Sequence, residues 1–367
     1  MVAVCAARQP DEGRGVSRCE DSVFRFIRST PLWTKTNNTS TCLLSVDKPK
    51  AEVEAEFKEL IDFAHEKGME VVLDVAPYVF DRLGISYDDL SFFAAIHADG
   101  IRLDEGFDGH REAQMTYNPQ RLKIELNASM DNASIENIMR YKPNVDYLLT
   151  CHNFYPQRYS GLSFDTFQRT SQAMRQMNLP VAAFISSRQP GAFGPWNVNE
   201  GLCTLEMHRD LPIDLQARHL FATGLVDDVL IANCFPSQAE LESLAQIDPG
   251  VLTLRVELEG TPGDVEERIL FHHAHEVRGD RNAYSARSTS PRRTFKTASI
   301  PPRNTRDLKR GDIVIVNETY DRYKGELHVV LRDMPNDGKK NVVARLPKEE
   351  WIMLDYLDAW RTFKLIQ

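Results

Sequence analysis

The sequence predicts an α/β protein: a (β/α)8 TIM-type barrel, incomplete at its N-terminus, followed by a small all-β domain. Three observations carry this. Strand and helix patterns take turns with short links from about residue 50 to 250. Successive strand candidates end in polar residues at the same end. After about residue 250 the pattern changes to short strands separated by turn signals.

Residues 1–49 fit least well. The barrel needs two strands and a helix here, yet the apolar pieces at 23–27 and 42–46 are short and no helical stripe joins them. Either this is an irregular N-terminal segment, or the start is not the native reading frame. From residue 51 the reading is firmer. Val53, Phe57, Leu60, Ile61 and Ala64 form one helical stripe over 51–67, and Gly68 suits the position after a helix end. Residues 69–75 read as a buried parallel strand carrying Asp74 near its end. Further strands are expected at 100–104, 122–127, 147–152, 180–186 and 228–233, with helices at 134–141, 164–177, 213–223 and 238–246. A doubly wound open sheet is the alternative arrangement, although no Gly-rich phosphate loop follows any strand.

Beyond residue 250 come strands at 251–258, 312–316, 326–331, 341–346 and 362–366. His272, His273 and His275 read as a solvated turn, and 287–293 as an Arg/Ser/Thr-rich loop. The expected organisation is therefore an atypical segment (1–49), a TIM-type barrel (50–250) and a β domain (251–367).

A net charge of −9 argues against general affinity for nucleic acid or anionic membrane. No apolar run approaches the ~20 residues that span a bilayer, and the first residues carry no basic leader pattern, so a cytoplasmic protein is expected. Six cysteines without C-x-x-C spacing are expected to stay reduced.

In a barrel the strand C-termini carry the chemistry. Asp74 lies at one such end, and strand alternation puts Arg102 and Asp104 on one face and Leu103 and Glu105 on the other. Asn127, then His152 and Asn153, follow at the next two ends. Each has a plain structural alternative: Asp74 as a turn cap, Arg102–Asp104 as a structural ion pair, His152 as a buried hydrogen-bonding residue. As a set they suggest a polar pocket. The carboxyl groups Asp74, Asp104, Glu105 and Glu125 are enough for glycoside hydrolysis, which uses a proton donor and a second group. One histidine among the strand ends does not make a metal site, so no metal or other cofactor is expected. The loop 193–201, with Trp196, suggests a lid or sugar-stacking platform, and Glu200, Glu206, His208 and Arg209 follow within reach.

These segments resemble the bacterial 6-phospho-N-acetylmuramidase family, long labelled "outer surface protein" or left uncharacterised. The matching stretches are Gly100-Ile101-Arg102-Leu103-Asp104 with Gly106-Phe107, Leu126-Asn127-Ala128-Ser129, and Cys151-His152-Asn153-Phe154-Tyr155-Pro156. Glu200–Glu206 (by number, 200–206) with His208-Arg209, and 255–258, continue the series. In the last domain it runs through 300–305, Arg310-Gly311-Asp312, Asn317-Glu318 and Tyr323-Lys324-Gly325-Glu326-Leu327. The resemblance covers about residues 50 to 367. It implies a barrel joined to a cyclophilin-like β domain, and hydrolysis of 6-phospho-N-acetylmuramyl-β-1,4-N-acetylglucosamine to N-acetylmuramic acid 6-phosphate and N-acetylglucosamine. That reaction serves peptidoglycan recycling inside the cell.

Asp104 and Asp74 are the candidates for the acid and its partner, in either order, with Glu105 as the substitute. Arg102, Asn127, His152, Asn153 and Glu200 are expected to bind substrate, with Arg287 and Arg292 as further phosphate ligands. The partner is a small phosphorylated disaccharide. Residues 42–49 lack the His-Ile-Pro-Glu pattern that the family carries after its second strand. A non-catalytic phosphosugar-binding protein, or an inactive family member, is therefore the alternative.

Overall fold

A computed structural model of the chain describes residues 5–8, 25–26, 49–66, 68–192, 194 and 200–367. The expectations for 42–46, and for most of 23–27, lie outside these. The chain divides into two units, Met1–Gln246 and Ile247–Gln367.

The first unit begins with two short strands, β1 (Cys5–Arg8) and β2 (Arg25–Phe26). Helix α1 (Lys50–Glu66) buries Val53, Phe57, Ile61 and Ala64, four of the five residues of the expected stripe; Leu60 is partly exposed. Then come β3 (Val72–Val75), α2 (Pro77–Leu83), α3 (Ser91–Ala95), β4 (Gly100–Leu103), α4 (His110–Met115), β5 (Lys123–Asn127), α5 (Ser134–Arg140), β6 (Leu148–Cys151), α6 (Phe164–Gln176), β7 (Val181–Ile185), α7 (Ile213–Ala222), β8 (Asp228–Ile231) and α8 (Gln238–Ala245). Strands β3 to β8 are parallel neighbours in chain order and curl into a half-barrel. Beyond β8 the sheet continues antiparallel through β1 and β2. Eight parallel strands closing on themselves are thus not formed among the described residues.

The sheet separates two apolar layers. Leu73, Val75, Ile101, Leu103, Ile124 and Leu126 pack outward with α1 and the following helices in the larger core. Val72, Cys151, Ala182, Phe184 and Leu230 form a smaller cluster on the other face. Alternation along each strand assigns residues to these layers. Among the described residues no helix is long and apolar enough to cross a membrane.

The second unit has β9 (Leu252–Arg255), β10 (Glu257–Leu258), α9 (Asp264–Phe271), β11 (His275–Glu276), β12 (Ser285–Ser288), α10 (Pro291–Thr294), β13 (Asp312–Val316), β14 (Leu327–Val330), β15 (Lys340–Arg345) and β16 (Thr362–Ile366). Five strands form an antiparallel sheet in the order β10-β15-β13-β14-β12, and three form a second sheet, β11-β16-β9. The unit is β-rich rather than all-β, because α9 buries Glu266, Ile269 and Leu270. Two local expectations are corrected. His275 is buried on β11, its Nε2 lying 2.8 Å from the Ile269 carbonyl oxygen, so it is not part of a solvated turn. Residues 285–288 are a strand paired with β14, and the 287–293 run is not a single loop.

Gly100 pairs with Lys123 on β5, and a Cβ there would meet the Lys123 carbonyl oxygen at 2.7 Å. Gly100→Ala is expected to lower stability by about 1–3 kcal/mol through overpacking, measured by urea unfolding.

Candidate active site

Parallel register sets Asp74, Arg102 and Glu125 side by side on β3, β4 and β5. Arg102 is 3% exposed, Asp74 6% and Glu125 2%. The guanidinium donates from Nη1 to Asp74 Oδ1 at 3.1 Å and to Asp104 Oδ1 at 2.6 Å, and from Nη2 to Asn153 Oδ1. Its Nε lies 3.5 Å from Glu125 Oε1 and makes no hydrogen bond. Burial alone would pull the arginine pKa down. The charges around it, Asp74 foremost and then Cys151, Asp104 and Glu125, outweigh that and raise it. Among the described residues, one cation here faces three carboxylates.

Asp104 is the member of this group open to ligand, with its side chain 42% exposed. Next to it Glu105 is exposed and, among the described residues, makes no hydrogen bond or ion pair. Asp104, Glu105 and Asn127 border one cleft of about 490 Å³ at the ends of β4 and β5. Asp74 does not line it.

The loop after β6 is tied to this cluster through Asn153. Its backbone N–H donates to Ser129 Oγ at 2.7 Å, and Ser129's own N–H donates to Asn127 Oδ1 at 3.0 Å. Thr204 Oγ1 donates to the Asn153 carbonyl at 2.9 Å. Tyr155, not singled out by the sequence reading, is half-buried beside the same groups. Burial raises its phenol pKa, while Ser129 and Arg102 pull the other way. The signal for it was its place in the Cys151–Pro156 stretch (by number, 151–156).

His152 lies behind these groups, its Nδ1 3.3 Å from Ser129 Oγ. It is fully buried, with Nε2 2.8 Å from Ser171 Oγ on α6 and its ring 4.9 Å from that of Phe167. Its expected contact with sugar hydroxyls does not fit this position; the ring spaces strand from helix. Burial lowers its pKa to about 3. Nor does Arg102 keep a free fork for a substrate oxyanion, since Asp74, Asp104 and Asn153 already occupy its terminal nitrogens.

Glu200 lies in a second network. Its carboxylate accepts the Arg158 backbone N–H at 2.7 Å, and its carbonyl accepts from Arg209 Nη1 at 3.0 Å. Arg209 also holds Glu206 bidentately, at 2.7 and 2.6 Å. Glu206 further accepts the N–H groups of Tyr159 and Gly161, and its pKa falls to about 2, chiefly because of the Arg209 bond. These contacts clip the loop after β6 to the loop after β7. Trp196 lies outside the described residues. In the second unit Arg287 pairs with Asp280 at 3.0 Å, and Arg292 with buried Glu326 at 2.8 Å.

Comparison with known proteins places this chain in a class. The model described as 6-phospho-N-acetylmuramidase, N-terminal, matches residues 35–246, and the one described as its C-terminal part matches 252–366. The chain belongs to the 6-phospho-N-acetylmuramidase family. Among solved structures it is similar to an uncharacterized B. cereus protein, with 47% identity and a TM-score of 0.80, over 85% of this chain and 88% of that one. It is also similar to a conserved Enterococcus faecalis protein of unknown function, with 25% identity and a TM-score of 0.64, over 86% and 85%. No curated protein matches it.

Two outcomes are expected from the cluster. Arg102→Met strands Asp74 and Glu125 without their buried cation and should lower stability by about 3–5 kcal/mol in denaturant titration. His152 stays neutral when folded but takes a proton below pH 6.5 when unfolded. Its contribution is therefore complete above pH 6.5 and is lost progressively as pH falls from there toward 3. His152→Gln should reduce the proton dependence of unfolding between pH 6 and 4 by about one proton, measured by unfolding at a series of pH values.

Proposed function

We propose that the chain is an active 6-phospho-N-acetylmuramidase, cleaving 6-phospho-N-acetylmuramyl-β-1,4-N-acetylglucosamine to N-acetylmuramic acid 6-phosphate and N-acetylglucosamine. The observation that carries this is the anionic cluster around Arg102, opening through Asp104 beside an unpaired Glu105, in a chain matched along both parts by that family. Such a substrate arises in the cytoplasm during peptidoglycan recycling, and that is where the reading places the protein.

The transition state of glycoside hydrolysis carries positive charge on the sugar ring. An ion-paired carboxylate that faces the ring stabilises that charge, which leaves the proton transfer to the neighbouring carboxyl group. Glu105 is therefore the proton donor in this reading. Its proton passes to the glycosidic oxygen, the C1–O bond breaks with its electron pair going to that oxygen, and N-acetylglucosamine leaves. Water then adds to C1 and its proton returns to Glu105. Asp104 stabilises the charged ring, and Arg102, with Asp74 and Glu125 behind it, holds Asp104 in place. Asn127 and Asn153 position sugar hydroxyls or the acetamido group.

Mass spectrometry of purified protein with the phosphorylated disaccharide should show both products, and slower cleavage of the unphosphorylated form. Glu105→Gln should lower kcat by about 10²–10⁴-fold, the usual worth of a proton donor. Binding without turnover by the wild-type protein would instead favour a phosphosugar-binding role.

A further inference from the structure

The cleft between the loops after β4 and β5 has a chemistry of its own. Asp104 and Glu105 form its inner edge, Asn127 and Asn132 supply amides, and Met130, 56% exposed, offers an apolar surface. Among the described residues no lysine or arginine lines it. Its walls are preset. Buried Glu112 accepts the N–H groups of Phe107 and Gly109 at 2.6 and 2.7 Å, and Gly109 sits at φ +85°. Asn132 Oδ1 accepts the Ser134 N–H at 3.2 Å, leaving the amide NH2 for other use.

A phosphate dianion is repelled by such walls, since their carboxylates outnumber the one cation, Arg102, that pairs with Asp104 from behind. A neutral ligand rich in hydroxyls and carrying an acetamido group fits them: carboxylates and amides take its O–H and N–H groups, and the methionine covers an apolar sugar face. Further cations lie at other strand ends. Arg158, in the loop after β6, pairs bidentately with Asp210, and Arg188, after β7, donates to the Asp210 carbonyl.

We propose that this cleft holds the leaving sugar, the unphosphorylated amino sugar, while the phosphorylated ring lies on the other side of Asp104, toward the loops after β6 and β7. This rests on the muramidase reading above and adds the direction in which the substrate lies across the strand ends.

The test compares two substrates that share the phosphorylated ring: the natural disaccharide and a 4-nitrophenyl 6-phospho-N-acetyl-β-muramide, which lacks the second sugar. Asn132→Asp keeps the acceptor for Ser134 and replaces the amide donor with a carboxylate oxygen, adding a negative charge to the cleft; Met130→Ala removes the apolar surface. For each, the ratio of kcat/KM on the disaccharide to that on the nitrophenyl compound should fall about five- to tenfold, the effect of one lost contact. An unchanged ratio overturns the proposal, whether both values fall together or neither does. Ligand-observed NMR with N-acetylglucosamine alone gives a readout independent of turnover. Binding weakened by Asn132→Asp supports the cleft as the site, and binding indifferent to it does not. If wild-type protein cleaves neither substrate yet binds N-acetylglucosamine in an Asn132-dependent way, the muramidase reading fails and the cleft assignment stands.

Discussion

The buried guanidinium of Arg102 is the constraint on which the rest of this end of the first unit depends. Taking a cation and three carboxylates toward the interior costs desolvation, and their attraction repays it only if the geometry is held. The geometry is held because β3, β4 and β5 are parallel and in register, so that Asp74, Arg102 and Glu125 are cross-strand neighbours. A slip of β4 by one residue would turn Arg102 into the apolar layer beneath the helices, where Ile101 and Leu103 now pack. The ion cluster therefore specifies strand register as much as it prepares chemistry. Through Asn153 it also fixes where the loop after β6 begins.

The loops that carry the polar residues are fastened in the same manner, by carboxylates or amides that accept backbone N–H groups. Glu112 shapes the turn after β4, and Glu206 with Arg209 joins the loops after β6 and β7. After β7, Ser187 is held by Asn233 and by Glu240, whose carboxylate also caps α8. A backbone N–H bound by a carboxylate is a stronger restraint than one bound by a neutral oxygen. A site assembled on such loops needs little rearrangement to receive charge, which is the condition for electrostatic catalysis.

Much of the first unit was legible because its strands and long helices obey strong periodicities. The stripe of α1 and the six buried strands appear where the apolar pattern put them. Helices α2, α3 and α4, of five to seven residues, were not expected from the sequence. The cluster at Asp74, Arg102 and Asp104 was visible as polar residues at like strand positions. That both terminal nitrogens of Arg102 would be engaged by its neighbours was not, because cross-strand register is a tertiary fact. His152 illustrates the same limit. Its position at a strand end suggested a ligand contact, but the side chain turns to Ser171, nineteen residues on, and only the packing of α6 decides this. The polar run at 287–293 misled in the opposite direction, since Arg287 gains its strand from pairing with β14 far along the chain.

The distribution of charge at the strand ends is uneven, and that unevenness bears on recognition more than net charge does. On one side stand Asp104, Glu105 and Asp108 with their amide neighbours. On the other, Arg158, Arg188 and Arg209 emerge from the loops after β6 and β7. Arg209 is consumed in holding its loop. Arg158 and Arg188 both address Asp210, an exposed residue whose pKa is lowered chiefly by Arg158. An ion pair at the surface contributes little to stability, because water competes for both partners. Exchange of Asp210 for another anion at the same guanidinium therefore costs little, whereas withdrawing Arg102 from its buried carboxylates would cost several kcal/mol. Arginines of identical chemistry are thus divided by burial into those that build the scaffold and those left able to meet a charged ligand.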